Sequence, residues 1–398
     1  MKTKLKNEQE RGITLIALIV TIVIMLILAG ISIKLAIDDN GVIGNAKEAK
    51  DQYEHAQTDE EEDINGISSE MKKYIDANKI VKVEGVTIPK GYYYVGGTKA
   101  TGIVISDNEN DNELDKGKED VRRDLEGNQW VWVPVETPSS LYTTVAAGQA
   151  LAGSTGVKTT KYTNSEIISG ITRVLPGDTS SHREPDILPS SNYGDTDDRA
   201  KTAGFSSLAN MAETMKSDYE EMIESLEKYK GFYIGRYELT ANGEKKGATQ
   251  TDVNWYTLYA NCKKWAKAGS KVKTRMIWGL QWDATCNWLE NSGFSMTNSS
   301  TWGNYSNSTV DGHGSKQDTG FSESWKANNI YDFAGNCWEF TQEANGTDSR
   351  AVRGGHYSIS GSSSPASIRS SNYPTGTVSF HGSRPTLYLI PWDRGEEF

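Results

Sequence analysis

The sequence predicts an α+β protein: a hydrophobic helix and a charged stalk, then a globular body of strands, two amphipathic helices and many irregular loops. Three observations carry this expectation. An uncharged aliphatic run opens near the start, aromatic-rich alternating segments lie between residues 81 and 134, and apolar residues recur at steps of three and four from Ser207 to Tyr229. With 398 residues the chain has room for two or three structural units. Every tryptophan lies at or after Trp130 and every cysteine at or after Cys262, so the aromatic core belongs to the second part.

From Gly12 to Ile33 there is no charged residue. At about 1.5 Å per residue, a helix from Ile13 to Ile33 reaches across a hydrocarbon layer of about 30 Å. Lys2, Lys4, Lys6 and Arg11 outnumber Glu8 and Glu10 before it, which keeps the start cytoplasmic and sends the remainder outside. The expectation is a single-pass membrane protein with an extracellular carboxy-terminal domain. The apolar run is too long for a signal peptide, and no small-x-small cleavage site follows it.

Residues 11–18 (RGITLIAL) resemble the type IV prepilin processing motif, in which a short basic leader ends in glycine just before a long aliphatic helix. The resemblance implies a leader over 1–12, cut between Gly12 and Ile13 by a prepilin peptidase, and methylation of the new terminus. It also implies a pilin-like helix and stalk over 13–78 that packs with other pilin subunits in the membrane. Pilins usually carry glutamate as the fifth mature residue, whereas this chain has Ala17, which suits a minor or tip subunit.

The stretch from Asn45 to Asn78 is rich in Ala, Glu, Lys and Gln, lacks proline, and reads as a solvated helix. The adjacent carboxylates of Asp59 to Asp63 point in different directions on such a helix and lack the turn glycine of a calcium loop, so they read as a solvated face. Residues 107–124 and the Ser/Thr/Gly-rich residues 148–192 read as surface insertions.

The body, residues 81–398, opens with strand signals at 81–89, 91–97 and 129–134, each alternating or aromatic-rich and bounded by Gly or Pro. Leu208, Met211, Met215, Tyr219, Met222 and Leu226 then define one face of a helix ended by Gly231. A second helix is expected from Trp255 to Ala268, with Leu258, Cys262 and Trp265 on one side.

A second resemblance rests on 231–240 (GFYIGRYELT), 275–283 (RMIWGLQWD), 329–339 (NIYDFAGNCWE), Arg353-Gly354-Gly355 and Gly382-Ser383-Arg384. In this order they resemble the formylglycine-generating, or sulfatase-modifying-factor, family, best from 129 to 389. The resemblance implies a C-type-lectin-like fold. It also implies a calcium ion beside the third segment, with Asn336 and Glu339 as ligands. The competing reading has Asn336 capping a turn and Glu339 pairing with an arginine.

The chemistry of the chain narrows its function. A net charge of −11 with no basic run argues against nucleic acid. There is no GxGxxG after a strand, no Walker loop and no GxSxG elbow. Formylglycine-generating members place a copper-binding cysteine pair after the Arg-Gly-Gly motif, but the last cysteine here is Cys337, so that oxidase activity is not expected. The five histidines show no ligand spacing, and Asp283 and Glu339 read as packing residues. Cys262 and Cys286 either bridge, leaving Cys337 free, or all three are core thiols.

The resemblance to the sulfatase-modifying-factor family implies an active-site rim over His356 to Tyr373. From His356 to Tyr373 eight of eighteen residues are serine, interspersed with tyrosine, arginine and asparagine, a composition typical of recognition loops. The ligand-binding candidates are His356, Tyr357, Ser358, Ser360, Arg369, Asn372, Tyr373 and His381. The expectation is a minor or tip pilin adhesin that binds an extracellular protein or glycan without catalysis. The alternatives are a sulfatase-modifying-factor-like enzyme of unassigned chemistry, and a pseudopilin that primes a filament.

Overall fold

A computed structural model describes residues 15–34, 81–114, 120–122, 124–136, 171–174, 181–184, 196–345 and 349–391. The leader, the cleavage site Gly12 and Ile13, the stalk and the Asp59–Asp63 run lie outside the described residues. The chain divides into two units, Met1–Ala77 and Asn78–Phe398, each taken by itself below.

In the first unit, helix α1 covers Leu15–Lys34. Its described side chains, 17–27, are all exposed, and they are aliphatic apart from Met25 and Thr21, which bonds back to the Ala17 carbonyl at 2.6 Å. Among the described residues, no helix is long and apolar enough to cross a membrane.

The second unit is α+β with two open sheets and two short hairpins. Its strands are β1 (Val81–Val83), β2 (Val86–Ile88), β3 (Tyr93–Gly96), β4 (Val104–Ser106), β5 (Gln129–Pro134), β6 (Ile171–Val174), β7 (Ser181–Glu184) and β8 (Gly231–Gly235). They continue as β9 (Val272–Met276), β10 (Lys326–Ala327), β11 (Ile330–Tyr331), β12 (Trp338–Asn345), β13 (Ser349–Arg353), β14 (Arg369–Asn372), β15 (His381–Ser383) and β16 (Pro385–Leu389). Its helices are α2 (Asp197–Thr202), α3 (Leu208–Tyr229), α4 (Trp255–Cys262) and α5 (Gly279–Asn291).

The first sheet runs β3-β4-β5-β8-β16-β9, antiparallel throughout. The second runs β14-β13-β12-β7-β6, with β15 added parallel to β12. The first sheet is buried on both faces. In β5 the alternation sends Val131 and Val133 into the main core with α3, α4 and α5, and Trp130 and Trp132 into a second layer beneath the β1-β2 hairpin.

Helix α3 follows its predicted stripe: Met211, Met215, Tyr219, Met222 and Leu226 are all buried. Ser207 caps its start by accepting from Asn210 N–H, and Lys230, in a left-handed conformation at φ 64°, ends it. Gly231 instead begins β8, where a Cβ would run into the Trp132 ring and the Val133 carbonyl.

Four other expectations are corrected. The second helix stops at Cys262 and tightens into a 3₁₀ turn at Lys263–Trp265, which delivers the Lys267 N–H to the Tyr92 hydroxyl at 3.1 Å. Helix α5 was not foreseen, nor was α2. Residues 148–192 are more than an insertion, since they supply β6 and β7 to the second sheet. The 107–124 loop is pinned from within: buried Asp111 accepts from the Ser106 hydroxyl at 2.5 Å and from Glu126 and Gly127 N–H.

Candidate functional site

The rim is assembled from two loop segments. The first follows α5 and runs to Val310; the second is 354–380. They are stitched together by Ser299 N–H to the Gly361 carbonyl at 2.9 Å, Ser306 N–H to the Ile359 carbonyl at 2.9 Å, and Gly361 N–H to Asn307 Oδ1 at 3.0 Å. Ala366 N–H donates to Ser299 Oγ, and Ser367 Oγ donates to the Met296 carbonyl at 2.6 Å. Buried Tyr305 is the hub: its hydroxyl donates to the Gly354 carbonyl at 2.6 Å. Gly355 has φ 77°, and a Cβ there would meet the Tyr305 ring and the Ser364 carbonyl, so only glycine fits this crossing.

The eight sequence candidates separate into two layers. Ser358 and Tyr373 are exposed, Tyr373 at 57%, while Tyr357, Ser360 and Asn372 are half-buried. His356, Arg369 and His381 are buried. His356 stacks on Phe380 with ring centroids 4.4 Å apart, Phe380 meets His381 edge-on, and Asn372 Nδ2 lies 2.9 Å from His381 Nδ1. Burial lowers both imidazoles, and the neighbouring His356 helps to push His381 down to about 4. Both rings are packed against Phe380.

Arg369 points inward. It pairs with Asp283 and donates to Glu343 Oε1 at 3.1 Å, while Arg353 pairs with Asp283 at 3.0 Å and lies 3.7 Å from Glu343. Two guanidinium groups thus neutralise two carboxylates inside the body, the arrangement a buried charge requires. Asp283 and Glu339 are not brought together as an acid–base pair: Asp283 pairs with Arg353 and Arg369, and Glu339 with Arg384.

A second buried cluster surrounds Arg384. Its guanidinium holds both oxygens of Glu339, the shorter contact being 2.7 Å. Its charge also acts on Glu238, Glu244 and Asp332, so four carboxyl groups share this guanidinium. Burial pushes Glu238 and Glu244 well above the carboxylate range, and Asp332 up to about 6. Among the described residues, neither carboxyl oxygen of Glu244 has a hydrogen-bond partner.

The same network engages the two calcium candidates. Asn336 Oδ1 accepts from Asn304 Nδ2 and from Gln317 N–H, both at 3.0 Å, and its Nδ2 donates to Glu238 at 2.6 Å. Each side-chain oxygen of Asn336 and Glu339 therefore faces an N–H donor of a hydrogen-bonded network. Among the described residues, no group of three or more His, Cys, Asp or Glu side chains is placed to hold a metal ion. Cys262, Cys286 and Cys337 are free and buried.

Nothing in the sequence points to Glu343 as an ion-pair partner, to Glu238 and Glu244 buried near Arg384, or to the first rim segment. The signal for the segment was there in composition: residues 291–310 contain no Asp, Glu, Lys or Arg.

No family model matches the chain, and no curated protein does. Among solved structures it is similar to Treponema denticola variable protein 1, at 16% identity and a TM-score of 0.29, covering 40% of this chain and 85% of that one. It is similar to PvdO from Pseudomonas aeruginosa at 16% identity and a TM-score of 0.29, covering 40% and 82%. CarF follows at 13% identity and a TM-score of 0.28, covering 40% and 87%. At TM-scores below 0.5, none of these likenesses carries an argument about function.

Proposed function

We propose that the chain is a pilin-like protein, anchored in the membrane by its amino-terminal helix, whose lectin-like, sulfatase-modifying-factor-like domain binds a ligand outside the cell. It is processed by a prepilin peptidase between Gly12 and Ile13, sits among other pilin subunits as a minor or tip component, and catalyses no reaction. The observation that carries the binding reading is the layering of the rim. Hydroxyls and tyrosine rings face outward, while the histidines and Arg369, the groups with chemistry to offer, are engaged from within.

The exposed, almost wholly aliphatic stretch of α1 supports the anchor, since side chains of this kind require lipid or other helices around them. The test is mass spectrometry of the protein from its own host, with adherence measured on the same cells. The expected mature chain begins at Ile13, Gly12→Val retains the leader, and adherence falls with surface display. A chain that keeps its leader in the native host, or adherence unchanged when the protein is deleted, overturns the reading.

A further inference from the structure

Lys263 stands where α4 gives way to the 3₁₀ turn, and its Nζ lies over the face of Phe205, 3.9 Å from the ring centroid, with the Tyr259 centroid at 5.2 Å. The two rings are tilted together, their centroids 5.7 Å apart, and both belong to the main core. Among the described residues, this ammonium has no hydrogen-bond acceptor and no carboxylate partner. The carboxylate whose charge reaches it, Asp218 on α3, is already taken by Arg275, which engages both its oxygens, and by Lys273 at 3.0 Å. Other lysines are placed differently: the side chains of Lys201, Lys264, Lys267, Lys273, Lys316 and Lys326 each donate to an oxygen.

A lysine without an acceptor, set against aromatic carbon and near a second cation, is in the setting that turns an ammonium into a nucleophile. Ring faces attract a half-exposed ammonium only weakly. Burial outweighs them, and together with the charge of Arg275 it brings Lys263 down from 10.5 to about 8. At pH 7.5 roughly a quarter of Lys263 is then free amine, against about a thousandth of an ordinary lysine. The amine is also open on one side. Gly204 is exposed, and a Cβ there would stand 3.4 Å from Nζ with no described atom but those of Lys263 within 4 Å outside residues 203–205. A small group can therefore reach the nitrogen from solvent.

We propose that Lys263 is a covalent capture site for small aldehydes, held as an imine. The Nζ lone pair adds to the carbonyl carbon, two protons pass from nitrogen to the carbonyl oxygen, the C–O bond breaks and water leaves, so that C=O becomes C=N with no oxidant, reductant or cofactor. The rings beside the amine offer nothing to hold a phosphate or coenzyme handle, which is why a simple aldehyde suits the site better than an activated acyl donor. This assignment goes beyond the rim and does not depend on what the rim binds.

The test treats the full chain in detergent micelles with propanal and cyanoborohydride, which traps imines as stable secondary amines, and follows the adducts by peptide mass spectrometry. Lys264, the next residue, is the internal reference. At pH 7.5 Lys263 should be labelled about tenfold or more faster than Lys264, and the ratio should fall towards one as pH rises to 10, where ordinary lysines also lose their protons. Lys263→Arg should abolish the fast adduct. Gly204→Asp sets a carboxylate beside Nζ at a left-handed position that aspartate tolerates, and should slow Lys263 to the rate of Lys264; Gly204→Asn, of the same shape without the charge, should slow it far less. Circular dichroism of each variant separates loss of the site from loss of the fold, and the comparison within the parent chain needs no variant. Labelling of Lys263 no faster than Lys264 at pH 7.5 overturns the proposal, as does a fast adduct that Gly204→Asp leaves unchanged.

Discussion

At the scale of single residues, the interior is governed by charges that had to be matched one by one. Arg369 is the clearest case, because truncating it leaves the carboxylates of Asp283 and Glu343 sharing Arg353. Arg369→Leu should cost about 3–5 kcal/mol in urea unfolding, the range for breaking a buried ion pair. A loss below about 1 kcal/mol would sink the view that Arg369 is structural. The Arg384 cluster makes a prediction about pH. Glu238, Glu244 and Asp332 hold their protons more tightly folded than unfolded, so their contribution is complete below the unfolded carboxyl range, about 4. It fades as pH rises through about 6, the folded value of Asp332. His381 works in the other direction: its contribution is complete above 6.5 and is lost as pH falls towards about 4. Glu244→Gln removes a proton that must otherwise be kept, so its stability should decline less between pH 5 and pH 8 than that of the parent, as read from urea midpoints. Parallel profiles for the two proteins would contradict the assignment.

At the scale of elements, legibility followed periodicity. Helix α3 was readable because one stripe is buried and the other solvated, and Met222→Ala should destabilise by about 2–5 kcal/mol in the same assay. At its end, Lys230→Gly should stabilise by about 0.5–1 kcal/mol, because φ 64° suits glycine and strains lysine. Helix α5 was invisible for the converse reason. Gly279 to Cys286 are buried on every side, Gln281, Asp283 and Thr285 included, so no stripe exists to be seen. Most strands span only two to five residues, too short for alternation to show, and the parallel pairing of β15 with β12 joins segments far apart in sequence. The rim was legible as composition, but its layering was not. Nothing local says that β14 begins with an inward Arg369 while Ser371 faces out.

At the scale of the whole molecule, the body stands without covalent staples. All three cysteines are free and buried, and burial raises their thiols, Cys286 to about 12. A thiol reagent should find none reactive in the native chain and three after denaturation; two or fewer after full denaturation without reductant would reveal a disulfide. A domain held this way draws its stability from two aromatic-rich core layers, one holding Trp255 and Trp282 and the other Trp130 and Trp132 under the hairpin.

One feature of the first sheet bears on how such a chain is made. Strand β16, the last of the described strands, lies inside the sheet between β8 and β9, not at its edge. Until residue 389 is available, β8 and β9 have no shared neighbour and their inner edges stay open. Synthesis from the amino terminus delivers β16 after the other described strands. The first sheet therefore closes only once β16 has been made, and a copy cut short before it keeps an open edge available for mispairing.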